Sequence, residues 1–65
     1  MKFAIPDMTC AHCKAAVERT IIDIDSGADV AVDLGAKTAT VRTTAPVEAI
    51  VNALAAEGYP ARLVS

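Results

Sequence analysis

The apolar residues of this chain switch between period two and period three-to-four four times within 65 residues. That alternation limits the fold more than any single motif does. In Lys2-Phe3-Ala4-Ile5-Pro6, Phe3 and Ile5 share one face, which predicts a short strand closed by proline. After a loop over 7–13, Cys13, Ala16 or Val17, Thr20 or Ile21, and Ile24 recur at helical spacing, with Lys14, Glu18, Arg19 and Asp23 opposite. This first helix is expected to stop near Asp25-Ser26-Gly27, with Gly27 in a left-handed conformation. Val30, Val32 and Leu34 then alternate with Asp29, Ala31 and Asp33. Gly35-Ala36 makes a turn, and residues 37–43 return with Ala39 and Val41 inward, completing a hairpin. A second helix follows, with Thr44 as cap, Pro46 in the first turn, a stripe of Val47, Ile50, Val51 and Leu54, and Gly58 as stop. Residues 60–64 read as a last strand, placed at an edge by Pro60.

The order is βαββαβ. Right-handed crossovers put both helices on one face of a four-stranded antiparallel sheet, a ferredoxin-like α+β sandwich forming one domain over 1–65. A chain this short buries only about 60% of the surface its unfolded form exposes. Little is left for catalytic loops, which argues against a self-contained enzyme. Fourteen alanines among the apolar residues, and no Trp, make a fine-grained core suited to thin layers.

Six Lys and Arg against eight Asp and Glu, alternating in sign along the chain, give no basic surface for nucleic acid. No apolar run approaches the roughly 20 residues of a membrane span, and the N-terminal residues lack the apolar stretch of an export signal. These features read as a soluble, cytoplasmic protein.

Chemistry concentrates at Cys10 and Cys13. A disulfide between them would close so short a loop that it would constrain the unfolded chain very little. In a reducing compartment such a pair is more often a metal or redox site. Cys10 falls in the loop and Cys13 in the first turn of the helix, where free backbone N–H groups and the positive dipole end favour the thiolate. A structural zinc site wants four protein ligands, and His12, the only histidine, is wedged between the cysteines where its ring cannot easily face the same point. Soft thiolates select Cu(I), which accepts two nearly opposed sulfurs, and Hg(II) fits for the same reason. An ion so held can take a third sulfur from a partner and leave without being released free. Met8 reads as a core plug under the loop, not a ligand. His12 reads as a solvated side chain, not a third ligand or pH switch. Tyr59, beside Gly58 and Pro60, has two open readings: packing on the sheet edge, or a lid beside the sulfurs.

Met8-Thr9-Cys10-Ala11-His12-Cys13 resembles the MTCxxC motif of heavy-metal-associated domains, a family with this element order. The similarity runs the length of the chain, through Val17, Ile21 and Ile24, Val30-Ala31-Val32-Asp33-Leu34, and Glu57-Gly58-Tyr59. It implies a Cu(I) metallochaperone of bacterial type that passes copper to the metal-binding domain of a P-type ATPase. Cys10 and Cys13 would be the ligands, Met8 the buried anchor, and Tyr59 the tyrosine that bacterial copper chaperones tend to place near the metal. A start at Met1 and an end just after the last strand favour a free-standing chain, monomeric without metal, and the exposed two-sulfur site would let metal bridge two copies. Two positions depart from the pattern. Asp7 replaces a usual glycine and could assist a harder ion such as Zn(II), and Ser26-Gly27 replaces Gly-Val in a turn away from the site. Zn(II) or Hg(II) transport on the same scaffold is one alternative, although a mercury scavenger would carry an export signal. A thiol-disulfide redox module is another, although the Trp and Pro of thioredoxin-like motifs are missing here.

Overall fold

The structure, a computed structural model, describes residues 1–64; Ser65, the last residue of the expected 1–65 domain, lies outside them. Six elements follow the expected order: β1 (Lys2–Ala4), α1 (Ala11–Ile24), β2 (Asp29–Asp33), β3 (Thr38–Arg42), α2 (Val47–Ala56) and β4 (Arg62–Leu63). They form one antiparallel sheet of order β2-β3-β1-β4, with β1 between β3 and β4. The register aligns Phe3 with Ala39 and Leu63, Ala39 with Val32, and Val41 with Val30. These residues therefore share the face that the helices cover.

The two helical stripes meet that face as their spacing predicts. Val17 and Ile21 of α1 and Ile50 and Leu54 of α2 are fully buried with Phe3, Ile5, Met8, Ala39 and Val41. Val30, Val32, Val47 and Val51 pack at the rim of the same core. On the opposite face the outward residues of β2 and the small Ala and Thr residues between them stay largely in water, as their alternation requires.

Five local expectations change. The first strand ends at Ala4, although Ile5 remains buried and its N–H donates to the Lys37 carbonyl (2.8 Å). Thr44 does not cap α2: Pro46 occupies the cap position with no side-chain cap bond. Instead the neighbouring Thr43 hydroxyl donates to Asp25 Oδ2 (2.6 Å) and accepts from the Ala45 N–H (3.1 Å), tying the end of α1 to the entry of α2. Gly27 is not left-handed. Its N–H instead donates to Asp25 Oδ1 (3.0 Å), so the Asp25 side chain makes the turn, and the hydrogen bonds from Thr43 and Gly27 hold this carboxyl below its usual range. The positive φ values fall on Gly58 (89°), as expected for the end of α2, and on Lys37 (56°), which closes the β2–β3 hairpin and leaves β3 to start at Thr38. Finally, the last strand shortens to Arg62–Leu63, an edge strand as predicted.

The glycine assignment is testable by denaturation. Gly58→Ala puts a Cβ on left-handed backbone and is expected to cost about 1–2 kcal/mol of unfolding free energy. For Gly27→Ala the new Cβ would stand 3.5 Å from Asp25 Oδ1, an ordinary contact. That variant should stay within about 0.5 kcal/mol of the parent. Equal losses in urea titrations would contradict the assignment.

Candidate metal centre

The loop that carries the cysteines is fixed from below. The Met8 N–H donates to the Ile5 carbonyl (3.0 Å), making Ile5-Pro6-Asp7-Met8 a tight turn with Pro6 and Asp7 at its two central positions. Pro presets the second turn position and Asp is at home beside it. Asp7 is thus a turn residue whose backbone needs no positive φ, which accounts for its standing where the resembling pattern has glycine. The turn drops Met8 into the core, where it is 0% exposed. The chain then emerges at Thr9 and Cys10, both exposed.

Cys10 is extended (φ −146°, ψ 171°) and occupies the cap position of α1 without a side-chain cap bond. Its carbonyl accepts from the Lys14 N–H (3.0 Å), the first bond of the helix. The N–H groups of the first turn therefore have no partner within the helix and point toward the tip. Cys13, third in the helix, is half-buried and packs against the core edge, while Cys10 is exposed. The two sulfurs lie 3.2 Å apart, within reach of a thiol hydrogen bond in either direction.

This setting acts unequally on the pair. The Cys13 thiol is lowered from 9.0 to about 6, chiefly by the Tyr59 hydroxyl, then by the Thr9 backbone N–H and the Cys10 thiol, against a smaller opposing effect of burial. The phenol and thiol stop short of a formed hydrogen bond, which is absent from the side-chain bonds of the described residues. The interaction belongs to the thiolate, which attracts the phenol proton more strongly than a thiol does. Reciprocally, Cys13 raises the Tyr59 hydroxyl above its ordinary 10.0. The half-buried Tyr59 ring packs against the core, as the first of its two readings has it, and its hydroxyl acts on the Cys13 thiol.

His12 is exposed at the second position of α1. Among the described residues no three His, Cys, Asp or Glu side chains converge on a point that would hold a metal ion. Neither His12 nor Asp7 therefore completes a three-ligand set with the sulfurs. Asp7 instead lines a groove with Arg62.

The description of a heavy-metal-associated domain matches residues 2–60. The chain belongs to the heavy-metal-associated domain family. Among solved structures, a gold binding protein is 39% identical over 95% of each chain, with a TM-score of 0.92. The copper chaperone Atx1 from Synechocystis PCC6803 is 29% identical over 95% of this chain and 98% of its own, also at 0.92. Oxidized MerP from Ralstonia metallidurans CH34 is 25% identical over 98% and 93%, at 0.85. No curated protein matches the chain. No helix among the described residues is long and apolar enough to cross a membrane.

Two measurements check how this heavy-metal-associated domain builds its tip. Alkylation of Cys13, followed against pH in the metal-free protein, should show a midpoint near 6, and Tyr59→Phe should move it upward. Because the folded state holds this thiol below its ordinary 9.0, the unfolded chain binds the extra proton between about 6 and 9. The contribution of Cys13 to stability is therefore fully present above 9.0 and is lost as pH falls toward 6. A midpoint above 8, unchanged in Tyr59→Phe, would contradict the arrangement. For the anchor, Met8→Ala should cost about 2–5 kcal/mol in denaturant and Met8→Leu less than about 1.5. Equal, small losses would show that the buried side chain does not hold the loop.

Proposed function

We propose that this domain is a soluble, cytoplasmic Cu(I) carrier, not an enzyme, that binds copper through Cys10 and Cys13 and yields it by ligand exchange to a matching dithiol domain, such as that of a P-type metal ATPase. The observation that carries the reading is the donor set: two sulfurs 3.2 Å apart at an exposed tip, with no third His, Cys, Asp or Glu converging among the described residues. Soft thiolates in low number suit a d10 monovalent ion, whereas a structural zinc site draws four ligands. Membership of the heavy-metal-associated family and the likeness to Atx1 support it.

With metal–sulfur bonds of about 2.3 Å, opposed sulfurs would stand about 4.6 Å apart. Loading copper thus requires one sulfur to swing outward by more than an ångström. Cys10, exposed and uncapped, is the one free to do so, while Cys13 is seated against the core and Tyr59. The half-buried Cys13 keeps the ion while the outer sulfur gives way to an incoming thiolate. Tyr59 supports the anionic form of Cys13 that binding needs.

A second reading, Au(I) as cargo, rests on the 39% identity to a gold binding protein. Au(I) shares the soft two-sulfur chemistry, as does Hg(II). A competition titration separates these readings: Cu(I), Au(I), Hg(II) and Zn(II) are offered to the reduced protein against a chromogenic chelator. Cu(I) should be held, Zn(II) should stay with the chelator, and Cys10→Ser and Cys13→Ser should each lower Cu(I) affinity at least 100-fold, about 3 kcal/mol. His12→Ala should leave the affinity within about threefold, since an exposed ring outside the donor set contributes little. Cu(I) left with the chelator, or held equally by either serine variant, would overturn the carrier reading. Sustained turnover of a disulfide substrate would favour redox chemistry instead.

A further inference from the structure

On the sheet face away from the helices, between the Pro6-Asp7 turn and β4, lies a groove of about 390 Å³ lined by Ala4, Pro6, Asp7, Pro60, Ala61 and Arg62. Its floor is alanine and proline, and its two charges have opposite sign. Asp7 and Arg62 are both exposed, and neither takes part in any side-chain hydrogen bond among the described residues. Beside the groove, β4 is paired on one side only, and Val64, just past it, is 47% exposed. Neither cysteine lines it.

We infer that this groove and the adjoining β4 edge form a self-complementary docking surface whose occupant is a second copy of the chain. One acid and one base across an apolar floor are their own complement under a twofold axis: Asp7 of each copy meets Arg62 of the other, twice per pair. A groove of a single sign would repel its own copy, and the net charge of −2 is too small to keep copies apart. The exposed Val64 supplies apolar contact, and Pro60 limits how far the edge can pair toward the tip. The contact is small, so association is weak and the chain is monomeric when dilute. Pairing here needs no metal and leaves both cysteine tips open, which distinguishes it from a metal-bridged dimer and makes it independent of the copper reading.

The test uses the full chain carrying Cys10→Ser and Cys13→Ser, in chelator, so that metal bridging and disulfides play no part. Sedimentation equilibrium from about 20 µM to about 2 mM covers the range of weak interfaces. The apparent mass should rise toward that of a dimer. Asp7→Lys and Arg62→Glu should each weaken association at least tenfold, and the two combined should restore it to within about threefold, because the swap recreates both pairs. Circular dichroism verifies that each variant folds. Concentration-dependent amide shifts in the parent should cluster at Ala4, Ala61 and Arg62. A monomer mass throughout, association that charge reversal leaves unchanged, a double variant that fails to recover, or shifts confined to another face would each overturn the inference.

Discussion

Because Met8 is sealed in the core, the chain on either side of it has little freedom: Pro6 and Asp7 must turn immediately before it, and Thr9 and Cys10 must climb out immediately after. The climb ends where α1 begins, with Cys10 at the cap and Cys13 one turn further on the inner side. A single buried side chain thereby fixes where the loop leaves the core. The hydrogen bond from the Ile5 N–H to the Lys37 carbonyl steadies the same turn from the hairpin side. Remote parts of the fold, including the left-handed Lys37, thus bear on where the sulfurs sit.

The asymmetry of the pair follows from that placement. Cys13 has a packed neighbourhood and a phenol beside it, whereas Cys10 has solvent and no capping bond of its own. Two ligands of equal rigidity would either hold an ion too firmly or fail to orient it. In the proposed function, one seated sulfur and one free to move would combine retention with exchange. This division of labour gives physical content to the proposed carrier function, and the sheet and two helices keep one strand-loop-helix tip in register.

Much of this was legible in the residues. Period-two and helical patterns located the six elements, because all but the exposed edge strand β4 bury one face and the spacing of apolar side chains records it. The buried position of Met8 and the exposed position of His12 also followed from chemistry alone. What the sequence concealed were features made by side-chain hydrogen bonds and by contacts distant in the chain. Thr43 and Thr44 are equally good capping residues by type, and only the position of Asp25 decides which one is engaged. The approach of Tyr59 to Cys13 spans 46 residues and depends on how the turn after α2 is aimed. Ile5-Pro6-Asp7-Met8 is itself a turn signature, so the place of Asp7 in the turn is legible from the residues alone.

The central claim is that copper passes from the two-sulfur tip through a bridged complex and not through the free ion. Stopped-flow transfer of Cu(I) from the loaded protein to a dithiol acceptor domain, followed over a range of acceptor concentrations, tests it most directly. Ligand exchange predicts a rate that rises with acceptor concentration and falls sharply when one acceptor cysteine is replaced by serine. A rate independent of acceptor concentration and equal to that of loss to a small-molecule chelator would show that the ion dissociates first, and would contradict the account.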